Sequence, residues 1–323
     1  MIISICERKA WVTLVTESSY LKGLQGLARS LKRVQTAYPL MVFHPDTSID
    51  PSTGQPKEKT SLTAEDLKLM SIEGCKLKAI ERIHPSNKRK EYLWGYYKDT
   101  WTKLRVWDLE EEYDKVVFLD ADMLIMKNID HLMEMNLPKD FLSAANACTC
   151  NPRKKPDYPK DWIPSSCAYT KGPIKPESEN TPPSLELKGY FNSGLLVLTP
   201  SKQMFEDLLN YLQNHPNINS LNFPDQDLLN EFFKGKWIPL SYTYNALKTL
   251  RTCHASMWDD KAIRNVHYIM ADKPWIKETI NFEQEFQDVK ETNDKEAISL
   301  FILNSWWWKV WKGIKFSVDD YSV

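Results

Sequence analysis

The chain has 323 residues, in which 42 Lys and Arg balance 43 Asp and Glu, so its formal net charge is −1. This balance argues against a nucleic-acid binder, which needs an excess of basic residues on one face. Hydrophobic residues make up 42% and charged residues 26%, which is typical of a globular protein rather than a disordered or membrane protein. At about 150 residues per domain, the length suits one or two domains.

Glycine is scarce, with only 10 in the chain. Neither G-x-G-x-x-G nor G-x-x-x-x-G-K-[ST] occurs in the sequence. Those loops hold dinucleotides and nucleoside triphosphates through their backbone N–H groups. A nucleotide ligand of this protein must therefore be held by other groups.

The start of the chain and its cysteines bear on the compartment. The apolar residues 1–6 are followed by Glu7, which makes them too short for a signal-peptide core, and no apolar run reaches about 18 residues. The six cysteines lack C-x-x-C spacing. Cys148, Cys150 and Cys167 could supply thiolates to a metal, but we interpret them as reduced thiols near a loop. No Asn-x-Ser/Thr sequence occurs, so we expect a cytoplasmic protein without membrane insertion.

The first half of the chain has the pattern of an α/β protein. Residues 10–16 form an apolar run of strand length, residues 20–35 repeat apolar side chains at helical spacing, and residues 39–43 predict a second strand. This order predicts a parallel sheet. Further elements are a helix at 63–70 with Thr63 as N-cap, a strand at 75–80, a helix at 101–111 and a central strand at 116–119.

A Pro-rich region follows, at about 148–190. Eight prolines between residues 148 and 183 forbid a continuous helix or central strand. The region is too long for a passive connection, which favours a substrate lid or binding loop. Beyond it we predict a strand at 190–198, a helix at 201–213, a helix from Pro224, a strand at 265–269 and a helix at 294–312.

Two aspartates follow the central strand directly. Asp120 and Asp122 are two residues apart, so their carboxylates project to the same side if the strand geometry persists. In open α/β sheets, ligands bind at this end of the strands. The pair therefore predicts a Mg²⁺ or Mn²⁺ site completed by a substrate phosphate. The spacing alone is weak evidence, because Asp225-Gln-Asp227 has it too.

Other polar residues have both a structural and a functional interpretation. His267 lies in a predicted strand, where an isolated histidine is more often structural; as a ligand it would favour Mn²⁺ over Mg²⁺. Asp225 suits a helix start because of the helix dipole. The sequence Asn192-Ser-Gly is typical of a turn, and its glycine indicates close approach to the backbone. We interpret the tryptophans at 306–308 as packing.

Five motifs in one order resemble the retaining glycosyltransferases of family 8, the group that contains glycogenin and galactinol synthase. They are residues 10–20, Leu119-Asp-Ala-Asp, Phe191-Asn-Ser-Gly, Asp225-Gln-Asp-Leu-Leu-Asn, and Val266-His-Tyr followed by Lys273-Pro-Trp. The resemblance covers roughly residues 10–277. It implies a glycosyltransferase type A fold, with a Rossmann-like, mainly parallel central sheet flanked by helices. It also implies one catalytic domain over 1–323, with a Trp-rich helix and tail at about 290–323.

The resemblance assigns roles to particular residues. It implies Mn²⁺, with Mg²⁺ as the alternative, on Asp120, Asp122 and His267, and catalytic positions at Asp225, Gln226 and Lys103. The positions that it implies for the UDP-sugar are Leu14, Thr16, Tyr20, Lys103, Asp120, Ala121, Asp122, Asn192, Ser193, Gly194 and Lys273.

The implied activity is transfer of a hexose from UDP-galactose or UDP-glucose to a hydroxyl of a polyol such as myo-inositol, or of a glycan. Local features resemble galactinol synthase more than glycogenin, among them Ala37-Tyr-Pro-Leu, Pro182-Pro and the tryptophans at 306–308. A glycogenin-like self-glucosylating primer is an alternative, although Thr252 stands where the modified tyrosine would fall. An inactive UDP-sugar-binding scaffold is another alternative. We expect the UDP-sugar and the acceptor as partners, and no nucleic acid. The sequence leaves open whether the protein forms a homodimer.

Overall fold

A computed structural model of the protein describes residues 8–86, 95–170 and 189–321. The apolar residues 1–6 and residues 171–188 of the Pro-rich region lie outside the described residues. The strands are β1 Lys9–Leu14, β2 Leu40–Pro45, β3 Lys76–Ile80, β4 Lys115–Leu119, β5 Met123–Ile125, β6 Leu142–Ala145, β7 Leu195–Leu198, β8 Trp237–Leu240, β9 Ala246–Leu247 and β10 Asn265–His267. The helices are α1 Leu21–Arg33, α2 Ala64–Ile72, α3 Lys202–Gln213, α4 Pro224–Phe232, α5 Leu250–Cys253, α6 Phe282–Glu291 and α7 Lys295–Trp311.

Seven strands form the main sheet, in the order β3-β2-β1-β4-β7-β6-β8. The neighbours β3·β2, β2·β1, β1·β4 and β6·β8 are parallel, whereas β7 is antiparallel to both β4 and β6. The sheet is therefore mostly parallel, as predicted. After β1 the chain adds β2 and β3 on one side and β4 on the other, so the order reverses between β1 and β4.

Alternation along the strands builds a core on each face of the sheet. Trp11 and Val117 point to the face that α1 covers with Leu24 and Leu27. Their neighbours on the strands, such as Val12 and Phe118, point to the other face, where α3 and α4 pack. All of these side chains are buried. This period-two pattern explains why the central strands are apolar throughout, since both faces are covered.

A small second sheet has the order β5-β10-β9. Strand β10 is antiparallel to β5 and pairs His267 with Met123. The backbone N–H of Tyr268 donates to the carbonyl of Asp122 at 3.0 Å. This pairing places His267 beside the residues that follow β4, although about 145 residues separate them in sequence.

The C-terminal tryptophans are packing residues, as predicted. Helix α7 packs against α1, and Trp306, Trp307 and Trp308 are at most 1% exposed. The indole of Trp308 donates to the carbonyl of Pro274 at 3.0 Å. The helix thus supports the segment that carries Lys273 and Trp275. No helix within the described ranges has the length and apolar character needed to cross a membrane.

Two predicted elements differ clearly from the structure. The helix predicted at 101–111 is a 3₁₀ segment, Gly95–Leu109, with a kink at Asp108. Its apolar Leu104 and its charged Lys103 are both buried, so tertiary contacts rather than helix propensity decide its conformation. The strand predicted at 190–198 begins only at Leu195, because the Asn192 side chain accepts a hydrogen bond from the N–H of Gly194 and forms a turn. The helices α5 and α6 and the short strands β5, β6, β8 and β9 were not predicted.

Candidate active site

A cleft opens at the carboxyl ends of β1 and β4, where the strand order reverses. Leu14 ends β1 and Thr16 follows it on one side of the cleft, and Asp120 follows β4. In open α/β sheets this switch point is where ligands bind, because the loops leave in opposite directions and open a crevice. The cleft is therefore the candidate site, and it has the position predicted from Asp120 and Asp122.

Three potential metal ligands meet in the cleft. Nε2 of His267 lies 3.2 Å from Oδ1 of Asp122 and 3.7 Å from Oδ2 of Asp120. One atom from each of the three residues lies within 4.8 Å of the others. The His267 side chain is 3% exposed and that of Asp122 is 9% exposed, whereas Asp120 is 31% exposed toward the cleft. Two carboxylates and an imidazole form a donor set that fits Mn²⁺.

A chain of hydrogen bonds fixes the tautomer of His267. The N–H of Gly194 can only donate, so the Asn192 atom that it meets at 3.0 Å is Oδ1. That oxygen accepts from Nδ2 of Asn245 at 2.8 Å, which leaves Oδ1 of Asn245 facing Nδ1 of His267 at 2.9 Å. Nδ1 is therefore the protonated nitrogen in neutral His267. The lone pair on Nε2 then faces the two carboxylates, an arrangement that a cation would stabilise.

Gly194 is required for this packing. A methyl group added at Gly194 would lie 2.4 Å from Cε1 of His267 and 2.9 Å from Oδ2 of Asp120. The carbonyl of Gly194 also accepts a hydrogen bond from the N–H of Asp120 at 2.8 Å. The sequence predicted close approach to the backbone at this glycine, and the approaching side chain is His267.

A buried lysine, Lys103, links Asp120 to Asp225 at the start of helix α4. Nζ of Lys103 lies 2.7 Å from Oδ2 of Asp225 and 3.1 Å from Oδ1 of Asp120. It also donates to the carbonyl of Ser193 at 3.1 Å. Burial alone would lower the pKa of Lys103, but Asp120 and Asp225 raise the pKa above its ordinary value. Lys103 therefore stays positively charged at neutral pH.

Polar side chains around α4 form one network. Oδ2 of Asp225 accepts from Oγ of Ser193 at 2.8 Å. Oε1 of Gln226 accepts from Nδ2 of Asn192 at 2.7 Å, and Nε2 of Gln226 donates to the hydroxyl of Tyr190 at 2.9 Å. The helix begins at Pro224, so Asp225 and Gln226 lie in its first turn. The network thus holds the polar side chains of Asn192, Ser193 and the first turn of α4 rigidly in one wall of the cleft.

The two aspartates have different electrostatic surroundings. Burial raises the pKa of Asp120 above its ordinary value, and Lys103 and His267 offset only part of this effect. Burial acts the same way on Asp122, but Lys273, together with His267 when its ring is protonated, brings the pKa of Asp122 well below its ordinary value. Nζ of Lys273 forms a short hydrogen bond with Oδ2 of Asp122 and lies 5.7 Å from the ring centre of Tyr20. Asp122 is therefore fully ionised at neutral pH.

The structure brings all of the sequence-predicted site residues together. Those that line the cleft are Leu14, Thr16, Tyr20, Lys103, Asp120, Ala121, Asp122, Asn192, Ser193, Asp225, Gln226, His267 and Lys273, and Gly194 lies directly behind His267 and Asp120.

Sequence reasoning missed several residues of the site. Asn245, which orients His267, carries no local signal, since a single asparagine between a short 3₁₀ turn and β9 is unremarkable. The aromatic residues Tyr158, Trp162 and Phe223 also line the cleft. The rings of Trp162 and Phe223 stack with centroids 4.8 Å apart. Their contact joins the Pro-rich region to the residue before α4, which no sequence pattern reveals.

Solved structures define the fold class. The galactosyltransferase LgtC, solved in complex with donor and acceptor sugar analogs, superposes with a TM-score of 0.54 at 15% identity, over 95% of this chain and 97% of that chain. The glycosyltransferase GlyE of Streptococcus pneumoniae gives a TM-score of 0.53 at 18% identity, over 95% of this chain and 65% of that chain. The protein therefore has the glycosyltransferase type A fold, which confirms the fold prediction.

Sequence comparison identifies the family. Residues 11–279 match the profile of Glycosyl transferase family 8, and the chain belongs to this family. It is 30% identical to galactinol synthase 1 of Ajuga reptans, over 97% of this chain and 84% of the relative. It is 32% identical to galactinol synthase 4 of Arabidopsis thaliana, over 94% of this chain and 81% of the relative. The protein is a glycosyltransferase, and its resemblance to galactinol synthases is confirmed.

Proposed function

We propose that the protein is a metal-dependent, retaining transferase that moves a hexose from a UDP-sugar to a hydroxyl acceptor. The observation that carries the proposal is the convergence of Asp120, Asp122 and His267, with the Nε2 lone pair turned toward both carboxylates. We infer that one catalytic domain performs the reaction, since the residues of the site span Leu14 to Lys273.

A continuous series of contacts supports one orientation of the donor. Lys273 lies between Tyr20 and Asp122. From there, His267 contacts both aspartates, and Lys103 joins Asp120 to Asp225. Uridine would lie beside Leu14, Thr16 and Tyr20 at one end of the series. The diphosphate would lie beside Lys273 and the metal ligands, and the hexose beside Asn192, Ser193 and Asp225.

The diphosphate position is supported by charge. Lys273 places a positive charge beside Asp122, and a cation bound by Asp120, Asp122 and His267 would stabilise the charge that develops on the UDP leaving group. Mn²⁺ suits the mixed oxygen and nitrogen ligands, with Mg²⁺ as the alternative. These groups would do for the phosphates what a glycine-rich loop does in other folds, which is consistent with the lack of G-x-G-x-x-G and G-x-x-x-x-G-K-[ST] in the sequence.

Retention follows if the acceptor attacks the anomeric carbon from the face of the leaving group. The bond from the anomeric carbon to the β-phosphate oxygen breaks, the acceptor oxygen forms the new bond, and its proton passes to the departing phosphate oxygen. Asp225 supports the positive charge on the sugar ring. Lys103 and Ser193 both contact Oδ2 of Asp225, so Oδ1 can accept a hydrogen bond from a sugar hydroxyl.

The relatives support galactose as the donor sugar and a polyol such as myo-inositol as the acceptor, because they are named galactinol synthases. UDP-glucose is the alternative donor, since it differs from UDP-galactose only in the configuration of one hydroxyl group. The aromatic wall formed by Tyr158, Trp162 and Phe223 offers ring faces to the apolar face of a sugar or polyol.

A UDP-release assay tests the proposal. Purified protein is given UDP-galactose, UDP-glucose or UDP-N-acetylglucosamine, each with Mn²⁺, Mg²⁺ or EDTA, and with or without myo-inositol. We expect release from one UDP-hexose that requires the metal and is abolished by Asp122→Asn. Asp140→Asn is the matched control, because Asp140 is exposed and its φ of 63° is tolerated by asparagine. Release that survives Asp122→Asn would contradict the metal assignment.

A further inference from the structure

Three cysteines and a histidine form a second cluster, and one of them, Cys148, also lines the cleft. Cys148 and Cys150 follow β6, Cys167 lies between two short 3₁₀ turns, and His254 follows α5. One ligand atom from each lies within 4.8 Å of the other three. Cys148, Cys167 and His254 are buried, and Cys150 is half-buried. The cluster joins segments that are about 100 residues apart in the sequence, so no C-x-x-C pattern reveals it.

All three sulfur atoms surround the same nitrogen. The distances from Nε2 of His254 are 3.5 Å to Sγ of Cys148, 3.2 Å to Sγ of Cys150 and 3.7 Å to Sγ of Cys167. Tetrahedral zinc, with Zn–S near 2.3 Å and Zn–N near 2.0–2.1 Å, would separate sulfur and nitrogen ligands by about 3.6 Å. The three observed sulfur-to-nitrogen distances lie on either side of this value.

Hydrogen bonding alone does not account for the cluster. Nε2 of a neutral histidine can form one good hydrogen bond, as donor or as acceptor, whereas three thiols face it. A central cation would instead bind all four groups at once. Thiolates with imidazole select zinc over the hard cations that suit Asp120 and Asp122.

We propose that Cys148, Cys150, Cys167 and His254 bind a structural Zn²⁺ ion. Three thiolates and an imidazole complete a tetrahedral shell, so no position is open for substrate. Binding to the reduced protein releases the protons of the three thiols. Cys253, whose Sγ lies 3.8 Å from that of Cys148, stands outside the four.

The zinc would fix one wall of the cleft. It ties residues 148–167 of the Pro-rich region to the segment after α5. The loop between Cys150 and Cys167 carries Tyr158 and Trp162, which pack on Phe223 just before Asp225 and Gln226. A catalytic consequence of this wall rests on the proposed function, whereas the zinc site itself does not.

Metal analysis of the purified full-length protein tests the proposal. After gel filtration into metal-free buffer to remove weakly bound ions, plasma mass spectrometry should find one zinc per chain in the wild type and in Asp122→Asn. The zinc content per chain of Cys150→Ser and of Cys167→Ser should be at least about tenfold lower. Cys253→Ser, which removes the neighbouring thiol, should keep the wild-type zinc content. Zinc in the Asp122→Asn variant separates this site from the proposed catalytic one, so either proposal can fail alone.

A second measurement covers variants that fail to fold. Titrating the wild type with a mercurial thiol reagent should release the zinc in proportion to the thiols modified, and hydrogen exchange across residues 148–170 should then increase. Wild-type protein without zinc, zinc retained equally by Cys150→Ser, or a disulfide among these cysteines in the intact mass would each overturn the proposal.

Discussion

Asn245 determines which nitrogen of His267 carries its proton. Oδ1 of Asn245 accepts from Nδ1 of His267 at 2.9 Å, and Asn245 is itself fully buried and oriented by Asn192. A histidine ligand whose second nitrogen is bound in this way is held in orientation and is more basic toward a metal. Removing this contact should therefore weaken metal binding at Nε2.

Replacing Asn245 with leucine should weaken Mn²⁺ binding about 10–100-fold, because the imidazole loses its partner. The signal of free Mn²⁺ in electron paramagnetic resonance measures this affinity directly. Asn210→Leu is the matched control, because Asn210 is exposed on α3, and this variant should keep the wild-type affinity. Equal affinities for Asn245→Leu and the wild type would show that Asn245 does not orient the ligand.

Gly194→Ala should abolish Mn²⁺ binding and cost about 1–3 kcal/mol of stability, because the added methyl group overlaps His267 and Asp120. Gly235→Ala provides the comparison. At Gly235 the methyl group meets nothing within 4 Å but φ is +75°, so only backbone strain of about 1–2 kcal/mol is expected. Urea denaturation and the Mn²⁺ titration together distinguish the two variants. Normal Mn²⁺ binding by Gly194→Ala would contradict the packing.

Lys103→Met should destabilise the protein by about 3–5 kcal/mol, because it leaves the buried Asp225 without its countercharge. Adding Asp225→Asn should restore much of the stability without restoring turnover. Denaturation curves of the two single variants and the double variant give the coupling energy of the pair. Additive losses of stability would mean that the two side chains do not interact as described.

Asp227 predicts a pH dependence of stability. Burial raises the pKa of Asp227 from 3.8 to about 6, although Tyr190 and the N–H of Phe223 donate hydrogen bonds to its carboxylate. Because the folded state binds this proton more tightly than the unfolded state, the contribution of Asp227 to stability falls as pH rises from about 4 to 6.

Relative to Asp227→Asn, the wild type should therefore lose about 1 kcal/mol of stability between pH 5 and pH 8. Urea denaturation of both proteins at the two pH values measures the difference, and the variant removes the contributions of other titrating groups. A difference that is constant with pH, or that grows in the opposite direction, would show that the folded state does not bind the proton of Asp227 more tightly than the unfolded state.

Local sequence patterns were sufficient for the scaffold near the site. The apolar run at 116–119 forms β4 and places Asp120 at the carboxyl end of a central strand, because a strand covered on both faces has to be apolar throughout. Thr63 caps α2 with Asp66 in a capping box, as its residue type predicts. Signals of this kind act over a few residues and can be read directly.

Long-range contacts were not available from the sequence. His254 meets Cys150 across about 100 residues, and Asn245 meets His267 through the register of a two-residue strand. The role of Lys103 came only from the resemblance, because a lysine in a helical segment is normally solvated. Its burial depends on Asp120 and Asp225, which belong to other elements.

Calorimetry measures whether the cation site holds the diphosphate of UDP in the cleft. We predict that UDP binds the wild type in Mn²⁺, that binding is lost in EDTA, and that Asp122→Asn binds no UDP at the same Mn²⁺ concentration while Asp140→Asn binds normally. UDP binding of equal strength with and without the metal, or undiminished binding by Asp122→Asn, would contradict the assignment of Asp120, Asp122 and His267 as the site of the cation and the diphosphate.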